Sequence, residues 1–469
     1  MKNNEPSPRV SVVAPVYNAA PFLDAFVKSF LTQTLPSGTI ELIAVDDGSL
    51  DSSGEILDEY ARQHENIHVI HQENAGWPGK PRNVGLAAAR GTYVFFADPD
   101  DEFGGPEALE RLADFADEHD SDVVIPKMVP KGNRLYAQWR YKTTQIDADL
   151  VTAFTTLTPQ KLFRREFLAE NGIRFPEEKV RLEDGQFLSE AYLKARRVSI
   201  LTGYNFYFII DHPQQDHLSR KVPDPSNYIG SVAVMSENVE KLCADADTGD
   251  RIINEIYFRK VLSNFTNSRL ANHPLERRLR WLENQQKFVE RFITDDRYSK
   301  MTDVAQRRTD LVRAGDPGAI LAYAKEGQVD FQFEEATSVG GVLTLYGTLT
   351  GWPDGDDLPQ LVIVERDVPT ESTRVHFVAT AQGVKVDIPK TALRAKASTR
   401  YYDFFVRPGE GQQDRRVKGP KKQFRQIFTD DRQVEIYTTK RGNLSAAVTK
   451  GLSAADRMKR RVKRVLKLN

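Results

Sequence analysis

The chain contains very little cysteine. Cys243 is the single cysteine among 469 residues, which excludes an internal disulfide and a cysteine metal cluster. A thiol content this low suits a reducing compartment. The sequence also lacks any run of roughly 20 apolar residues that could span a membrane. Its first ten residues, MKNNEPSPRV, lack the basic and apolar regions of a signal peptide. We therefore expect a cytoplasmic protein.

An excess of either charge is also missing. With 65 basic and 66 acidic residues the formal net charge is -1, which gives no indication of a nucleic-acid partner. Basic residues do accumulate at the C-terminus, because residues 457–469 contain seven of them and no acid. The apolar residues between them fall near one helical face, which predicts a basic amphipathic tail over 441–469. This tail either contacts the inner face of the cell membrane or an anionic polymer, or is a solvated extension.

Hydrophobic periodicity divides the chain into further parts. Apolar runs alternate with helical patterns through residues 1–226: strands at 9–16, 40–46, 67–71, 92–97 and 122–129, and helices at 20–33, 52–63, 80–90 and 106–118. This alternation predicts an α/β domain with a parallel sheet. Helical spacing continues over 227–329. Short alternating runs over 330–440 then predict an antiparallel β-sandwich.

Aromatic and acidic side chains follow three of the predicted strands. Tyr17 follows the first strand, Asp46 and Asp47 close the second, and the segment 98–101 (DPDD) follows the fourth. The carboxyl ends of parallel strands meet at one edge of a sheet, so we expect these side chains to lie close together. Carboxylates alone would repel a diphosphate, and a hard divalent cation with oxygen ligands must lie between them. The pattern therefore predicts a sugar-nucleotide site.

A glycine- and proline-rich loop, residues 76–83 (GWPGKPRN), leads into the helix at 80–90. Arg82 lies in the first turn of that helix. A helix N-terminus and a guanidinium together form an anion site, which predicts that Arg82 binds a diphosphate oxygen. Lys80 is either a second anion ligand or a solvated surface charge.

Four ordered motifs resemble those of family 2 glycosyltransferases with the GT-A fold: APVYN (14–18), VDDGSLD (45–51), ADPDDEF (97–103) and LEDGQF (182–187). The segments NAGWPGKPRNVGL (74–86), FPEEKVRLEDGQF (175–187) and DHLS (216–219) make the chain similar to the wall teichoic acid GlcNAc transferases that modify poly(ribitol phosphate). The resemblance extends to about residue 270 and is only architectural beyond it. It implies the GT-A fold, a helical extension and an Ig-like β-sandwich.

The resemblance implies a UDP-sugar donor, UDP-GlcNAc or UDP-GalNAc. Tyr17 then stacks on the uracil ring, while Pro15 and Asp47 bind the edge of the base. Asp98 contacts the ribose or the sugar. An aromatic face and a fixed hydrogen-bond acceptor are also what a pyrimidine requires on physical grounds. The donor-binding residues predicted in this way are Pro15, Tyr17, Asp47, Asn74, Pro78, Arg82 and Asp98.

The metal and the base follow from the same resemblance. Asp100 and His217 would bind Mn²⁺ or Mg²⁺, although a lone histidine is more often structural and His212 lies only five residues away. Asp101 is extra and is expected to cap the following helix. Asp184 matches the general base of inverting transferases, in which one carboxylate accepts the proton of the acceptor hydroxyl. Its alternative role is to cap a helix.

The acceptor implied by the resemblance is a poly(alditol phosphate), which requires a basic groove. By rough alignment its candidate ligands are Ser219, Arg259, Lys260 and Arg269, with Arg220. Thr155 stands where an acceptor-side tyrosine is expected, and Trp77 where relatives have a small residue. These departures leave open a transferase acting on a lipid-linked or capsular saccharide. A further alternative is a non-catalytic polymer-binding scaffold. The β-domain of relatives also implies a homo-oligomer, with a trimer favoured.

Overall fold

The structure is a computed structural model. It describes residues 7–131, 143–210, 212, 222–263, 273–326, 330–340, 342–350, 358–366, 372–380, 383–394, 399–407, 414–420, 425–429, 432–439 and 442–450. The chain divides into two compact units: Met1–Val261 with Glu283–Arg297, and Leu262–Leu282 with Tyr298–Asn469. Among the described residues, no helix combines the length and apolar character needed to cross a membrane.

The first unit begins with the predicted α/β region. Its strands are β1 (Val10–Val16), β2 (Ile40–Asp46), β3 (Ile67–His71), β4 (Tyr93–Phe96), β5 (Glu102–Phe103), β6 (Val123–Pro126), β7 (Met128–Lys131), β8 (Leu162–Arg164), β9 (Val198–Leu201) and β10 (Tyr207–Ile210). Its helices are α1 (Ala20–Leu31), α2 (Ser53–Gln63), α3 (Gly79–Ala88), α4 (Ala108–Glu118), α5 (Leu150–Phe154), α6 (Arg165–Glu170) and α7 (Glu183–Lys194).

The main sheet has the strand order β3-β2-β1-β4-β8-β6-β9. Strands β3, β2, β1 and β4 are mutually parallel, with Val16 of β1 opposite Asp46 of β2. Both β1 and β2 are buried almost throughout, as expected for central strands covered on both faces. The prediction of a wholly parallel sheet is wrong in one place, because β8 runs antiparallel to its neighbours β4 and β6.

The predicted strand over 122–129 is two strands in two sheets. β6 pairs with β9 in the main sheet, whereas β7 pairs with β10 in a second, three-stranded sheet of order β5-β10-β7. The chain changes sheet at Lys127, whose N–H donates to Leu201 O while its carbonyl accepts from Phe206 N. This second sheet lies next in sequence to the acidic segment 98–101, since β5 begins at Glu102.

Helices fill the next part of the chain: α8 (Pro225–Leu242), α9 (Ala246–Ile256), α10 (Leu275–Phe292), α11 (Asp295–Ser299), α12 (Asp303–Ala314) and α13 (Pro317–Glu326), with a π-helical turn at Tyr257–Val261. Caps fix the starts of the first two. Asp224 accepts from the backbone N–H groups of Ser226 and Asn227, and Asp245 accepts from that of Thr248. The predicted helical segment is confirmed.

Within the second unit, two antiparallel sheets enclose one apolar core. Their strands are β11 (Asp330–Val339), β12 (Val342–Thr350), β13 (Gln360–Glu365), β14 (Ser372–His376), β15 (Val378–Thr380), β16 (Gly383–Ile388), β17 (Arg400–Arg407), β18 (Arg415–Arg416), β19 (Arg425–Thr429), β20 (Arg432–Thr438) and β21 (Leu444–Lys450). The sheet orders are β11-β12-β16-β15 and β14-β13-β17-β21-β20-β19, with β18 beside β17. Leu345, Val386, Phe404 and Ala446 belong to their shared core, so the predicted β-sandwich is confirmed.

The last strand lies beyond the predicted end of the sandwich at residue 440. β21 pairs with β17 and β20, and its Leu444, Ala446 and Val448 are buried in the core. Residues 444–450 are therefore part of a sheet rather than of a tail. The basic residues of the predicted amphipathic helix lie outside the described residues.

Candidate active site

The ends of β1 and β2 are joined by hydrogen bonds at one edge of the main sheet. Asp47 N–H donates to Val16 O at 2.8 Å, and Asn18 N–H donates to Ser49 Oγ at 3.0 Å. Tyr17, directly after β1, is 48% exposed at this edge, so its ring offers a face to a planar ligand. Pro15 lies within β1 opposite Val45 and is partly buried.

Asp47 holds the loop that follows β3. Its Oδ1 accepts from Gln72 Nε2 at 2.6 Å and from Ala75 N–H at 3.0 Å, while its carbonyl accepts from Asn74 Nδ2 at 2.9 Å. Gly48 has φ +68°, and a Cβ there would lie 2.9 Å from Asn74 N, so only glycine fits. Asp47 and Asn74 are thus brought together, and sequence reasoning missed Gln72.

Asp46 forms a separate network. Its Oδ1 accepts from Ser49 N–H at 3.0 Å, and its Oδ2 lies 2.9 Å from His71 Nδ1. The other ring nitrogen of His71 lies 3.0 Å from Asp58 Oδ1. Hydrogen bonds to Asp46 and Asp58 raise the pKa of His71. The Asp46 side chain therefore holds the turn at the end of β2, while its carbonyl accepts from Gln72 N–H of the loop at 3.0 Å.

Three aspartates cluster after β4. Carboxylate oxygens of Asp98, Asp100 and Asp101 all lie within 4.8 Å of one another, and no other such acidic or histidine group occurs among the described residues. Asp101 is buried and its Oδ1 accepts from Ile210 N–H at 2.8 Å. Its expected role as a helix cap is wrong, because α4 begins only at Ala108 and Asp101 instead fastens β10 to the loop.

Two aromatic side chains fix the backbone of this acidic loop. The buried Tyr207 hydroxyl accepts from Asp98 N–H at 3.0 Å. His212 Nε2 lies 2.8 Å from the carbonyl oxygen of Asp100, and its ring contacts Phe22 with centroids 4.1 Å apart. Neither contact was predicted, because both partners are more than 100 residues from the loop in sequence.

Arg82 lies at the centre of the site. Its side chain is 5% exposed, with Nη1 2.7 Å from Asp184 Oδ1 and Nη2 3.1 Å from Asp98 Oδ1. Glu183 Oε1 lies 3.7 Å from the same Nη1. The expected role of Arg82 as a diphosphate ligand stays a prediction, and in the structure each of its terminal nitrogens donates to a carboxylate of the protein. Gln160 Nε2 donates to the second oxygen of Asp98 at 2.5 Å.

Asp184 occupies the first turn of α7, where Leu182 with φ 60° turns the chain into the helix. Burial raises the pKa of Asp184 to about 8; the Arg82 and Lys161 charges act to lower it, and the charges of Glu183 and Asp98 add to the rise. The pKa of Glu183 is also raised by burial, against the lowering effects of Arg82 and the Trp77 indole. A carboxylate with a raised pKa beside an acidic loop is suited to accept a proton near neutral pH.

The predicted acceptor ligands are only partly described. Arg259 and Lys260 lie on the π-helical turn, where Arg259 Nη1 donates to Phe154 O at 3.3 Å and its Nε lies 3.6 Å from Glu255. Thr155 turns its hydroxyl onto Thr152 O at 2.6 Å. The remaining predicted ligands lie outside the described residues: His217, Ser219, Arg220 and Arg269.

A mainly parallel sheet with an exposed tyrosine and an acidic loop at one edge is typical of the GT-A class of nucleotide-sugar transferases. Comparison with known proteins agrees. Residues 11–178 match the model of glycosyl transferase family 2, and residues 225–324 match that of the glycosyl transferase TarS linker domain. Residues 11–178 therefore form a glycosyl transferase family 2 domain, and the chain is homologous to the TarS proteins.

Two relatives show the extent of this likeness. The chain is 38% identical to a poly(ribitol-phosphate) beta-glucosyltransferase of Bacillus spizizenii over 48% of this chain and 36% of that protein. It is 33% identical to the poly(ribitol-phosphate) beta-N-acetylglucosaminyltransferase TarS of Staphylococcus aureus over 60% of this chain and 49% of that protein. The chain thus spans about a third of the length of the first relative and about half of the length of the second.

Solved structures of S. aureus TarS resemble both parts of the chain. The crystal structure of TarS 1-349 in complex with UDP-GlcNAc has a TM-score of 0.63 at 28% identity, covering 74% of this chain and all of that one. The longer TarS structure has a TM-score of 0.65 at 23% identity over 96% of this chain and 86% of that one. The second likeness extends the shared fold to the antiparallel sheets.

Proposed function

We propose that this chain is an inverting glycosyltransferase that moves a sugar from a UDP-sugar to a hydroxyl of an anionic poly(alditol phosphate) of the teichoic acid type. One observation carries the proposal. Asp184, a carboxylate with a raised pKa, is tied through Arg82 to Asp98 of the acidic loop. The group that accepts a proton and the loop that meets a nucleotide diphosphate therefore belong to one site.

The donor lies along the edge formed by β1, β2 and β4. The exposed ring of Tyr17 stacks on uracil, and Asp47 with Pro15 recognises the edge of the base. Asn74 and Pro78, in the loop held by Asp47, contact the remainder of the nucleotide. Asp98 contacts the ribose or the sugar, since each of its carboxylate oxygens accepts one bond already and has a second lone pair. The TarS complex with UDP-GlcNAc supports GlcNAc as the sugar, and GalNAc or glucose are the alternatives.

Inversion needs one base and no enzyme nucleophile. Asp184 accepts the proton of the acceptor hydroxyl as its oxygen attacks the anomeric carbon, and the bond to the UDP leaving group breaks on the opposite side. The raised pKa of Asp184 makes it a stronger base than a solvated aspartate. Its place in the first turn of α7 and its bond to Arg82 fix the direction from which it approaches.

The acidic loop fits a divalent cation. Asp98, Asp100 and Asp101 supply only carboxylate oxygens within 4.8 Å, the hard ligands that Mg²⁺ and Mn²⁺ prefer. Asp100 is the first ligand to test and His217 the second, as the resemblance to family 2 transferases implies. When bound, the cation supplies positive charge that stabilises the departing diphosphate. Substitution Asp100→Asn should weaken Mn²⁺ binding measured by electron paramagnetic resonance.

The test compares wild type, Asp184→Asn and the distant control Asp117→Asn with UDP-, GDP- and dTDP-sugars and Mn²⁺. Transfer to poly(ribitol phosphate), to poly(glycerol phosphate) and to a lipid-linked saccharide is measured, together with thermal stabilisation. We expect a UDP-sugar to stabilise all three proteins and to be transferred to polymer only by wild type and the control. Absence of metal-dependent nucleotide binding in wild type contradicts the proposal and favours a scaffold. Transfer only to a lipid-linked saccharide selects the other acceptor class.

The expected homo-trimer and the contact of the basic C-terminal residues with membrane or polymer stay predictions. Light scattering of the purified chain gives the number of subunits. Sedimentation with anionic vesicles, and separately with poly(ribitol phosphate), distinguishes the two partners of the tail.

A further inference from the structure

Arg82 is unusually constrained for a residue at the start of a helix. Its guanidinium contacts Asp184 at 2.7 Å and Asp98 at 3.1 Å, and these carboxylates come from α7 and from the loop after β4. The two partners lie 102 and 16 residues from Arg82 in the sequence. One planar cation therefore joins the element that carries the base to the loop that carries the donor ligands.

The packing around Arg82 fixes its orientation. The guanidinium carbon lies 5.3 Å from the centre of the Phe175 ring. That ring stacks on Phe187 of α7 with centroids 4.0 Å apart and an interplanar angle of 5°. Asn83 clamps the backbone of Phe175 from both sides, donating from Nδ2 to its carbonyl at 2.9 Å and accepting from its N–H at 3.0 Å. Helix α3, Phe175 and α7 thus form one rigid support.

This arrangement suits positioning better than phosphate binding. A phosphate ligand needs N–H groups that reach the nucleotide, but the Arg82 side chain is only 5% exposed, and each of its terminal nitrogens already donates one N–H to a carboxylate. A bidentate guanidinium also holds two carboxylates at a set separation, which a single ammonium group does not.

We propose that Arg82 is a positioning residue that aims Asp184 at the acceptor hydroxyl by tying it to Asp98, rather than a ligand of the donor diphosphate. The proposal rests on the function proposed above, in which Asp184 is the base. It assigns Arg82 to the transfer step and leaves donor binding to the strand edge and the cation.

The test is Arg82→Lys, with Arg297→Lys as a matched control. Arg297 also bridges two acids, Asp250 at 2.7 Å and Glu240 at 2.9 Å, but in the helical part of the chain. We expect Arg82→Lys to lower kcat about 100-fold, because small misplacement of a catalytic group has that effect. The KM for the UDP-sugar and the calorimetric Kd for UDP with Mn²⁺ should change less than about threefold. Arg297→Lys should leave all three values at wild-type level.

A second variant separates positioning from general damage. In Arg82→Ala, added methylguanidinium should restore part of kcat without changing the Kd for UDP, whereas added methylammonium should not. A rise of about tenfold or more in KM and in the Kd for UDP, with kcat preserved, overturns the proposal, because that is the signature of lost ground-state binding.

Wild type provides a test that does not depend on the folding of a variant. In a crystal structure with UDP and Mn²⁺, the proposal requires Arg82 to stay on Asp184 and Asp98. A guanidinium that has turned to the phosphate oxygens overturns it. The two proposals fail in different ways: wild type without UDP binding or transfer removes the proposed function, whereas an active wild type with a donor-binding Arg82 removes only this inference.

Discussion

Replacing the proposed base with asparagine should abolish transfer and yet stabilise the ligand-free fold. The pKa of Asp184 is raised to about 8, mainly by burial, whereas an aspartate in an unfolded chain titrates near 3.9. Because the folded pKa is higher, the stability contributed by the protonated carboxyl is complete below about pH 4 and is lost as the pH rises toward 8. Asparagine stays neutral throughout, so it avoids this loss.

The magnitude follows from the linkage between protonation and folding. Between pH 5 and pH 7, the difference in free energy of unfolding between Asp184→Asn and wild type should rise, in favour of the variant, by up to about 1.4 kcal/mol for each pH unit. This figure is an upper bound, since the Asp184 side chain retains 24% exposure and the variant loses a charged hydrogen bond to Arg82. We therefore expect a relative gain of about 1–2 kcal/mol over the two units.

The assay is urea unfolding of the ligand-free proteins at pH 5, 6 and 7. Because the chain forms two units, the transition to analyse is the one that UDP and Mn²⁺ shift upward in wild type. Asp117→Asn is the control with the opposite sign, because hydrogen bonds from Tyr93 and Arg9 outweigh burial and lower the pKa of Asp117. Its variant should be destabilised by the same amount at all three pH values. A deficit of Asp184→Asn that grows with pH would refute the reasoning, since it would mean that the Arg82 charge outweighs burial and brings the pKa of Asp184 below its usual value.

The remaining predictions concern the base, a turn and the sandwich core. Glu183→Gln should shift the acid limb of kcat/KM to lower pH, because the charge of Glu183 raises the pKa of Asp184; a uniform loss of kcat at every pH would instead indicate a sugar contact. Gly48→Ala should lower stability by about 2 kcal/mol and weaken UDP binding in calorimetry, through left-handed strain and a close approach to Asn74. Gly172→Ala, with φ +62° and open space around it, measures the strain alone. Leu345→Ala should destabilise the sandwich by about 2–5 kcal/mol in thermal unfolding without changing UDP affinity.

Local patterns carried most of the fold prediction. The continuous apolar runs of β1, β2 and β4 predicted buried parallel strands, and the side chains after them predicted the edge that carries the site. Short-range detail was less reliable. Ser52 and Glu55 have the spacing of a capping box, but Ser52 makes no capping bond at the start of α2, and Asp51 accepts from Ser53 N–H at 2.9 Å instead. Strand β21 was missed because its alternation uses alanine and serine.

The parts of the site that the sequence could not predict depend on distant contacts. Asp98 forms hydrogen bonds with Gln160, 62 residues away in sequence, and with Tyr207, 109 residues away. The pattern of hydrophobic residues does not predict such distant pairs. The sequence predicted an anionic partner for Arg82, but that partner is a pair of carboxylates of the protein itself. A buried cation among several nearby acids is not distinguishable, from sequence alone, from one that awaits a phosphate.

The destabilising effect of Asp184 and its strength as a base have one physical cause. Burial disfavours the ionised carboxylate, so it both raises the pKa and reduces the stability of the fold at neutral pH. Arg82 and Lys161 oppose the rise, and without them the group would stay protonated over a wider pH range and could not accept a proton. The pKa of Asp184 lies between that of a solvated aspartate and the higher value it would have without Arg82 and Lys161. At this intermediate pKa the carboxylate is basic enough to accept a proton, and the loss of stability is limited. The stability gained by Asp184→Asn therefore measures how much stability the fold loses by burying this carboxylate.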